Sequence, residues 1–289
     1  MKVELVTPQG YCAGVKNAIN TALKAKQENP EKRVFVLGML VHNKNVIDEL
    51  NSNGIITLPY ESDEALPKKL KSGDVLIFTA HGHSDRIESL AKDKGLIIYD
   101  CTCPIVNKNI ALIKNEIGDN HQVIYIGQKD HKETKAALSI SEKVILFDSK
   151  SPFNYEILID KSPLVVNQTT LNFMSLQNIH KEIKEHLPQA RIQNEICAAT
   201  RERQTAISNI DKNTDLIVIV GDKLSSNCNK LFEIASKNYP LSKVIMVENL
   251  KQLKKAKIDG IKKAAISSGA STPYKLVEEI ENYLKNNCR

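Results

Sequence analysis

Cysteines at positions 12, 103 and 197 recur at intervals of 91 and 94 residues. Their surroundings are alike: Tyr11-Cys12-Ala13-Gly14-Val15, Thr102-Cys103-Pro104-Ile105-Val106 and Ile196-Cys197-Ala198-Ala199-Thr200. A lone free cysteine is more often a small buried hydrophobe, but one per repeating segment points to a shared site. Three thiolates are one short of the usual four on an iron–sulfur cluster. One iron would then keep an open position, which is what a Lewis-acid catalyst needs. A tetrahedral zinc with three cysteines and a water would use the same ligands. Zinc delivers no electrons, so the two readings imply different chemistry. Cys101, Cys228 and Cys288 read as non-ligands. In an extended segment Cys101 points away from Cys103, Cys228 follows a Ser-Ser-Asn turn, and Cys288 stands next to the last residue.

Polar groups follow each of the three cysteines at matched distances. His42, His131 and Ser225 come 30, 28 and 28 residues later; His81, Thr169 and Ser271 come 69, 66 and 74 residues later. Ser225-Ser226-Asn227 and Gly269-Ala270-Ser271 read as strand-to-helix turns, where hydroxyls cap helices and free N–H groups bind phosphate. The imidazoles of His42, His81 and His131 can be charged near neutral pH and donate to diphosphate oxygens. Glu133 is the one carboxylate in this set and is suited to hold or deliver a proton. Thr169 and Thr170 can orient a substrate hydroxyl. His83, His121, His180 and His186 lack matching context and read as surface or structural. Neither a Walker loop nor a G-x-G-x-x-G run occurs, so nucleotide sites of those kinds are not indicated.

The elements that must position these groups alternate along the chain. Apolar runs at Val34–Leu37, Val75–Phe78, Leu96–Tyr99, Val123–Ile126, Val144–Phe147, Leu164–Val166, Leu216–Val220, Val244–Val247 and Ala264–Ile266 read as strands. Segments of helical period, such as Asn45–Leu50 and Asn229–Lys237, lie between them, which predicts α/β architecture with mostly parallel sheets. One small α/β unit used three times is expected, over residues 1–100, 101–195 and 196–289, as a trefoil around a pseudo-threefold axis. Ligands of open α/β sheets bind beyond the carboxyl ends of the strands, so such a trefoil would aim its cysteines and polar turns at one centre.

Composition narrows the partners. The 289 residues carry a net charge of +6, spread along the chain, with 5% aromatics. That balance argues only weakly for nucleic acid and fits an anionic substrate or an acidic redox partner. The start shows no signal-peptide pattern, and no apolar run reaches the roughly 18 residues of a membrane span. A cytoplasmic protein, without membrane or nucleic-acid partners, is expected. Its six cysteines would then be reduced rather than paired.

The ordered series YCAGV, LVHN, AHG, TCP, H-x-E, QTT, IC-A-T, SSN and GAS, from Cys12 to Ser271, resembles the 4-hydroxy-3-methylbut-2-enyl diphosphate reductase family. The resemblance implies a three-unit trefoil with a central 4Fe–4S cluster on Cys12, Cys103 and Cys197, one iron not ligated by protein. It implies that the substrate hydroxyl meets that iron while the diphosphate lies among His42, His81, His131, Ser225, Ser226, Asn227 and Ser271. Glu133 matches the family's proton donor and Thr169 its partner near the hydroxyl. The implied reaction is reductive dehydroxylation, the last step of the methylerythritol phosphate route to isoprenoids. Electrons would come from a ferredoxin or flavodoxin. Readings from other classes use the same residues: a zinc-dependent phosphate-ester hydrolase, or a cluster-bearing diphosphate-binding protein. The family's H-P-E-V-x-G run stands here as His131-Lys132-Glu133-Thr134-Lys135-Ala136, and loss of the proline and glycine is expected to loosen the turn that aims Glu133. His83 stands where the family has an uncharged residue.

Overall fold

A computed structural model describes residues 1–62, 65–148, 151–193 and 196–287. Cys288 and the expected boundary at residue 195 lie outside them. The chain opens with β1 (Lys2–Leu5), α1 (Ala13–Glu28), β2 (Val34–Leu37), α2 (Lys44–Ser52), β3 (Ile55–Leu58), β4 (Val75–Phe78), α3 (Asp85–Asp93) and β5 (Ile97–Asp100). It continues with α4 (Pro104–Gly118), β6 (Val123–Gly127), α5 (Lys132–Leu138), β7 (Val144–Asp148), β8 (Leu164–Asn167), α6 (Phe173–His186) and β9 (Arg191–Ile192). It ends with α7 (Ala198–Ser208), β10 (Leu216–Val220), α8 (Ser226–Asn238), β11 (Lys243–Val247), α9 (Leu250–Leu253), β12 (Lys263–Ser268) and α10 (Tyr274–Asn287).

The strands form three four-stranded sheets, ordered β3-β2-β4-β5, β7-β6-β8-β9 and β1-β12-β10-β11, and every pairing is parallel. Parallel strands need crossover helices on the sheet faces, so their inner strands are apolar on both sides. In β10 all five residues are buried. Leu216, Val218 and Val220 pack with Val277, Ile280 and Leu284 of α10 on one face. Ile217 and Ile219 pack with Ile207 of α7 and Leu231 of α8 on the other. Each such side chain contributes about 1.5–3 kcal/mol by leaving water.

The strands expected from apolar runs are present within one or two residues of their ends, while β1, β3 and β9 were not anticipated. All three are edge strands of two to four residues, too short for a periodic signal. The register of β1 has a consequence: Lys2–Leu5 pairs with Lys263–Ile266, so the chain's first strand joins the C-terminal sheet. Each of Cys12, Cys103 and Cys197 therefore follows an outer strand (β1, β5 or β9) and opens a helix (α1, α4 or α7).

Two compact units result. A terminal unit contains Met1–Lys16, His42–Val46 and Cys197–Arg289; a middle unit contains Asn17–Val41 and Ile47–Ile196. No helix among the described residues is long and apolar enough to cross a membrane.

Candidate active site

In every sheet the polar turns follow the two inner strands. His42 and His81 come after β2 and β4, His131 and Thr169 after β6 and β8, and Ser225 and Ser271 after β10 and β12. These are the strand carboxyl ends at which open α/β sheets bind ligands.

In the terminal unit, the Cys12 amide donates to the Ala270 carbonyl at 3.0 Å, which sets the thiol beside the Gly269-Ala270-Ser271 turn. Its sulfur accepts from the Val15 amide at 3.4 Å. Cys197 is the N-cap residue of α7, without a side-chain cap bond. Both thiols are half-buried and stand at helix starts. Ser225 caps α8, its hydroxyl oxygen accepting from the Cys228 amide at 3.3 Å. That bond uses an oxygen lone pair, so the hydroxyl proton is not consumed by it.

Asn227 is buried at 5% exposure, yet neither its Oδ1 nor its Nδ2 has a partner among the described residues. Leaving a buried amide unsatisfied costs about 1–3 kcal/mol, so this side chain suits a polar ligand. Ser271 Oγ donates to the His42 carbonyl at 3.1 Å. Asp222 accepts from the Lys44 amide at 3.1 Å and from the Leu224 amide at 2.8 Å. Together these bonds pin the His42 segment to the turns after β10 and β12. Cys228 is fully buried beneath Gly221 and Gly269. A Cβ on either glycine would collide with its sulfur.

In the middle unit, Cys103 is the N-cap residue of α4, and its amide donates to the Ala80 carbonyl at 3.0 Å, next to His81. The rings of His81 and His131 meet edge to face with centroids 6.0 Å apart. His131 caps α5, and its Nδ1 accepts from the Glu133 amide at 3.2 Å. An accepting Nδ1 puts the ring proton on Nε2. Burial, with the Lys132 charge adding to it, pushes His131 down to about 4. In the unliganded protein this favours an uncharged ring with Nε2–H left to donate.

Glu133 is 4% exposed. One carboxylate oxygen accepts from the Thr169 hydroxyl and the other from the Thr169 amide, both at 2.9 Å. These bonds favour the charged form, but burial outweighs them and lifts the carboxyl to about 7. The Lys132 ammonium packs against Gly38, where a Cβ would lie 2.6 Å from Nζ, and burial lowers it to about 8. Thr170 accepts from Gln168 Nε2 at 2.8 Å.

The remaining histidines are engaged elsewhere. His83 stacks on Phe78 at 3.8 Å, His121 meets Asp160 at 2.8 Å, and His186 stacks on Tyr155 at 4.1 Å. His180 is held below the usual histidine range by burial. Cys101 is buried, its sulfur donating to the Ala18 carbonyl at 3.6 Å, and burial pushes the thiol up to about 12. The five described cysteines form no disulfide.

Sequence reasoning missed Arg203, Asp222 and Gln168. A signal for Arg203 existed. Thr200, Arg203, Gln204 and Ile207 fall at i, i+3, i+4 and i+7 of α7 and are buried, so polar residues occupy a core-facing stripe. Asp222 and Gln168 follow strands as ordinary turn residues and carry no such mark.

Comparison with known proteins agrees with this geometry. The LytB protein family model matches residues 3–285. A 4-hydroxy-3-methylbut-2-enyl diphosphate reductase from Macrococcus caseolyticus (strain JCSC5402) is 35% identical over 289 residues, covering 99% of this chain and 89% of its own. One from Bacillus pumilus (strain SAFR-032) is 36% identical over 288 residues, with 99% and 91% covered. The solved E-1-hydroxy-2-methyl-but-2-enyl-4-diphosphate reductase of Plasmodium falciparum superposes with a TM-score of 0.86 at 28% identity, over 99% of this chain and 88% of that one. Matched by the family model and by reductase relatives over nearly its whole length, the chain belongs to the LytB protein family.

Proposed function

We propose that this chain reduces 4-hydroxy-3-methylbut-2-enyl diphosphate to isopentenyl and dimethylallyl diphosphates, the last step of the methylerythritol phosphate route. The allylic C–O bond breaks, two electrons and two protons are consumed, and the hydroxyl leaves as water. The observation that carries this reading is the buried Glu133 carboxyl, lifted to about 7 and fixed by Thr169. A carboxyl raised toward neutral pH can hold and release a proton there, which suits a donor to a poor leaving group. Thr169 keeps it aimed, and Thr170 lies alongside to orient the substrate hydroxyl.

Family membership implies an iron–sulfur cofactor. The finer assignment is a 4Fe–4S cluster held by Cys12, Cys103 and Cys197, with one iron not ligated by protein. Reduced, half-buried thiols at helix starts are the soft donors such a group takes. When bound, it supplies the electrons and an open coordination position. His42, His81, His131, Ser225, Ser226, Asn227 and Ser271 receive the diphosphate. The unpartnered amide of Asn227 and the Nε2–H of His131 support that role. A bound anion would raise the proton affinity of His131. The segments 1–100, 101–195 and 196–289 are repeats of one plan, a reading supported by the shared strand order of the three sheets, with Lys2–Leu5 completing the third.

Electrons would come one at a time from a ferredoxin or flavodoxin in the cytoplasm. The +6 charge suits an acidic donor, and the reduction rate should then fall steeply with added salt. The deciding experiment is iron and sulfide analysis of anaerobically purified protein, with turnover by a chemical reductant. About four irons and four sulfides per chain, lost in Cys103→Ser, together with turnover, support the proposal. A colourless protein holding zinc would overturn it in favour of a phosphate-ester hydrolase, a reading the reductase relatives disfavour. Cluster without turnover would leave a diphosphate-binding protein.

A further inference from the structure

Arg203 sits in α7 of the terminal unit, six residues past Cys197, and is only 2% exposed. It forms no ion pair with a carboxylate among the described residues. Its guanidinium instead holds two backbone carbonyls. One Nη donates to Gly10 at 2.7 Å and the other to Ala199 at 3.1 Å, while Nε has no partner. Gly10 lies two residues before Cys12 and Ala199 two residues after Cys197, so one side chain ties two cysteine-bearing segments together.

Carbonyl binding alone leaves the charge uncompensated, and a buried unpaired cation is strongly unfavourable. Glu202, the neighbouring carboxylate, is exposed, and the two carbonyls that the guanidinium holds lie two residues from Cys12 and Cys197, so the charge left to balance it is that of a group held by these two segments.

We propose that Arg203 is a positioning residue of the iron–sulfur centre: it clamps the Cys12 and Cys197 segments and supplies a fixed cation that favours the reduced cluster. This rests on the reading that Cys12, Cys103 and Cys197 hold that cluster. Each electron added to a thiolate-bound cluster adds negative charge, and a nearby cation in a low-dielectric surrounding stabilises it.

The test compares wild type, Arg203→Gln and Arg203→Lys as full-length, anaerobically reconstituted proteins. The readouts are circular dichroism, iron and sulfide content, and the cluster's midpoint potential. Lysine keeps the charge but loses the two-pronged grip; glutamine loses the charge. The expected result for Arg203→Gln is at least a tenfold lower reduced-to-oxidised ratio at fixed potential. That corresponds to about 59 mV in the negative direction for a one-electron couple. Arg203→Lys should retain the wild-type potential with lower iron occupancy. A loaded Arg203→Gln at the wild-type potential overturns the proposal. If Arg203→Gln does not fold or load, Arg203→Lys decides: a cluster at the wild-type potential supports it, and no cluster in folded protein overturns it. A wild type without iron and sulfide would instead defeat the underlying cluster assignment.

Discussion

At the scale of single residues, the proposed chemistry rests on two side chains, Glu133 and Asn227, whose burial is costly to the fold. Glu133 is raised from an ordinary 4.5 to about 7 by burial, so between those values the folded chain binds a proton that the unfolded chain releases. The stability this proton provides is present below pH 4.5 and is lost as pH rises through 7, at about 1.4 kcal/mol per unit and about 3 kcal/mol at most. Glu133→Gln should therefore lose turnover by about 10²–10⁴-fold. Its melting temperature should hold up better than that of wild type between about pH 5 and pH 8. A parallel decline of both proteins would mean that Glu133 is not the group titrating. Thr169→Val removes a hydroxyl bond that favours the carboxylate, so the alkaline limb of kcat/KM, which reports free-enzyme groups, should move to higher pH. Asn227 has nothing to lose in the unliganded protein. Asn227→Ala should leave the melting temperature unchanged or higher and raise KM by roughly tenfold or more, since a hydrogen bond to a charged group contributes about 1.5–3 kcal/mol. A large fall in stability with unchanged KM would remove Asn227 from the anion pocket.

At the scale of elements, the β10–α8 and β12–α10 turns are shaped by one buried sulfur. Cys228, in the first turn of α8, fills the space beneath Gly221 and Gly269, and Thr272 Oγ1 donates to the Val220 carbonyl at 2.9 Å. The two turns are thus packed against each other as well as hydrogen-bonded. Gly269→Ala should destabilise the protein by about 1–3 kcal/mol through overpacking. Cys228→Ala in the same chain should recover at least half of that loss in chemical denaturation, because the colliding atom is gone. Additive losses in the double variant would show that Cys228 is not what excludes the methyl group.

At the scale of the whole molecule, the pairing of β1 with β12 makes the two ends of the sequence one structural unit. Lys2–Leu5 covers an edge of the C-terminal sheet and leads into the Gly10–Cys12 segment that Arg203 holds. Removing residues 1–6 should lower the melting temperature by several degrees and promote association, because a parallel edge of unpaired backbone groups is left open. An unchanged melting temperature in a monomeric truncated protein would mean that the pairing contributes nothing to stability.

The inner strands were legible because both faces of a parallel sheet are covered, which writes continuous Val/Ile/Leu runs such as Leu216–Val220 into the chain. The cysteine spacing and the ordered polar turns were legible because a repeated plan repeats its site positions. Edge strands such as Arg191–Ile192 were not, since two residues carry no period. Nor does spacing reveal a protonation state. The neutral His131 and the raised Glu133 arise from the water that packing removes. The sequence by itself determined the α/β class and the family. Only the tertiary structure decided that the first strand belongs with the last and that Arg203 bridges two cysteine segments, because partners 193 positions apart, such as Arg203 and Gly10, are chosen by sheet register and burial rather than by local pattern.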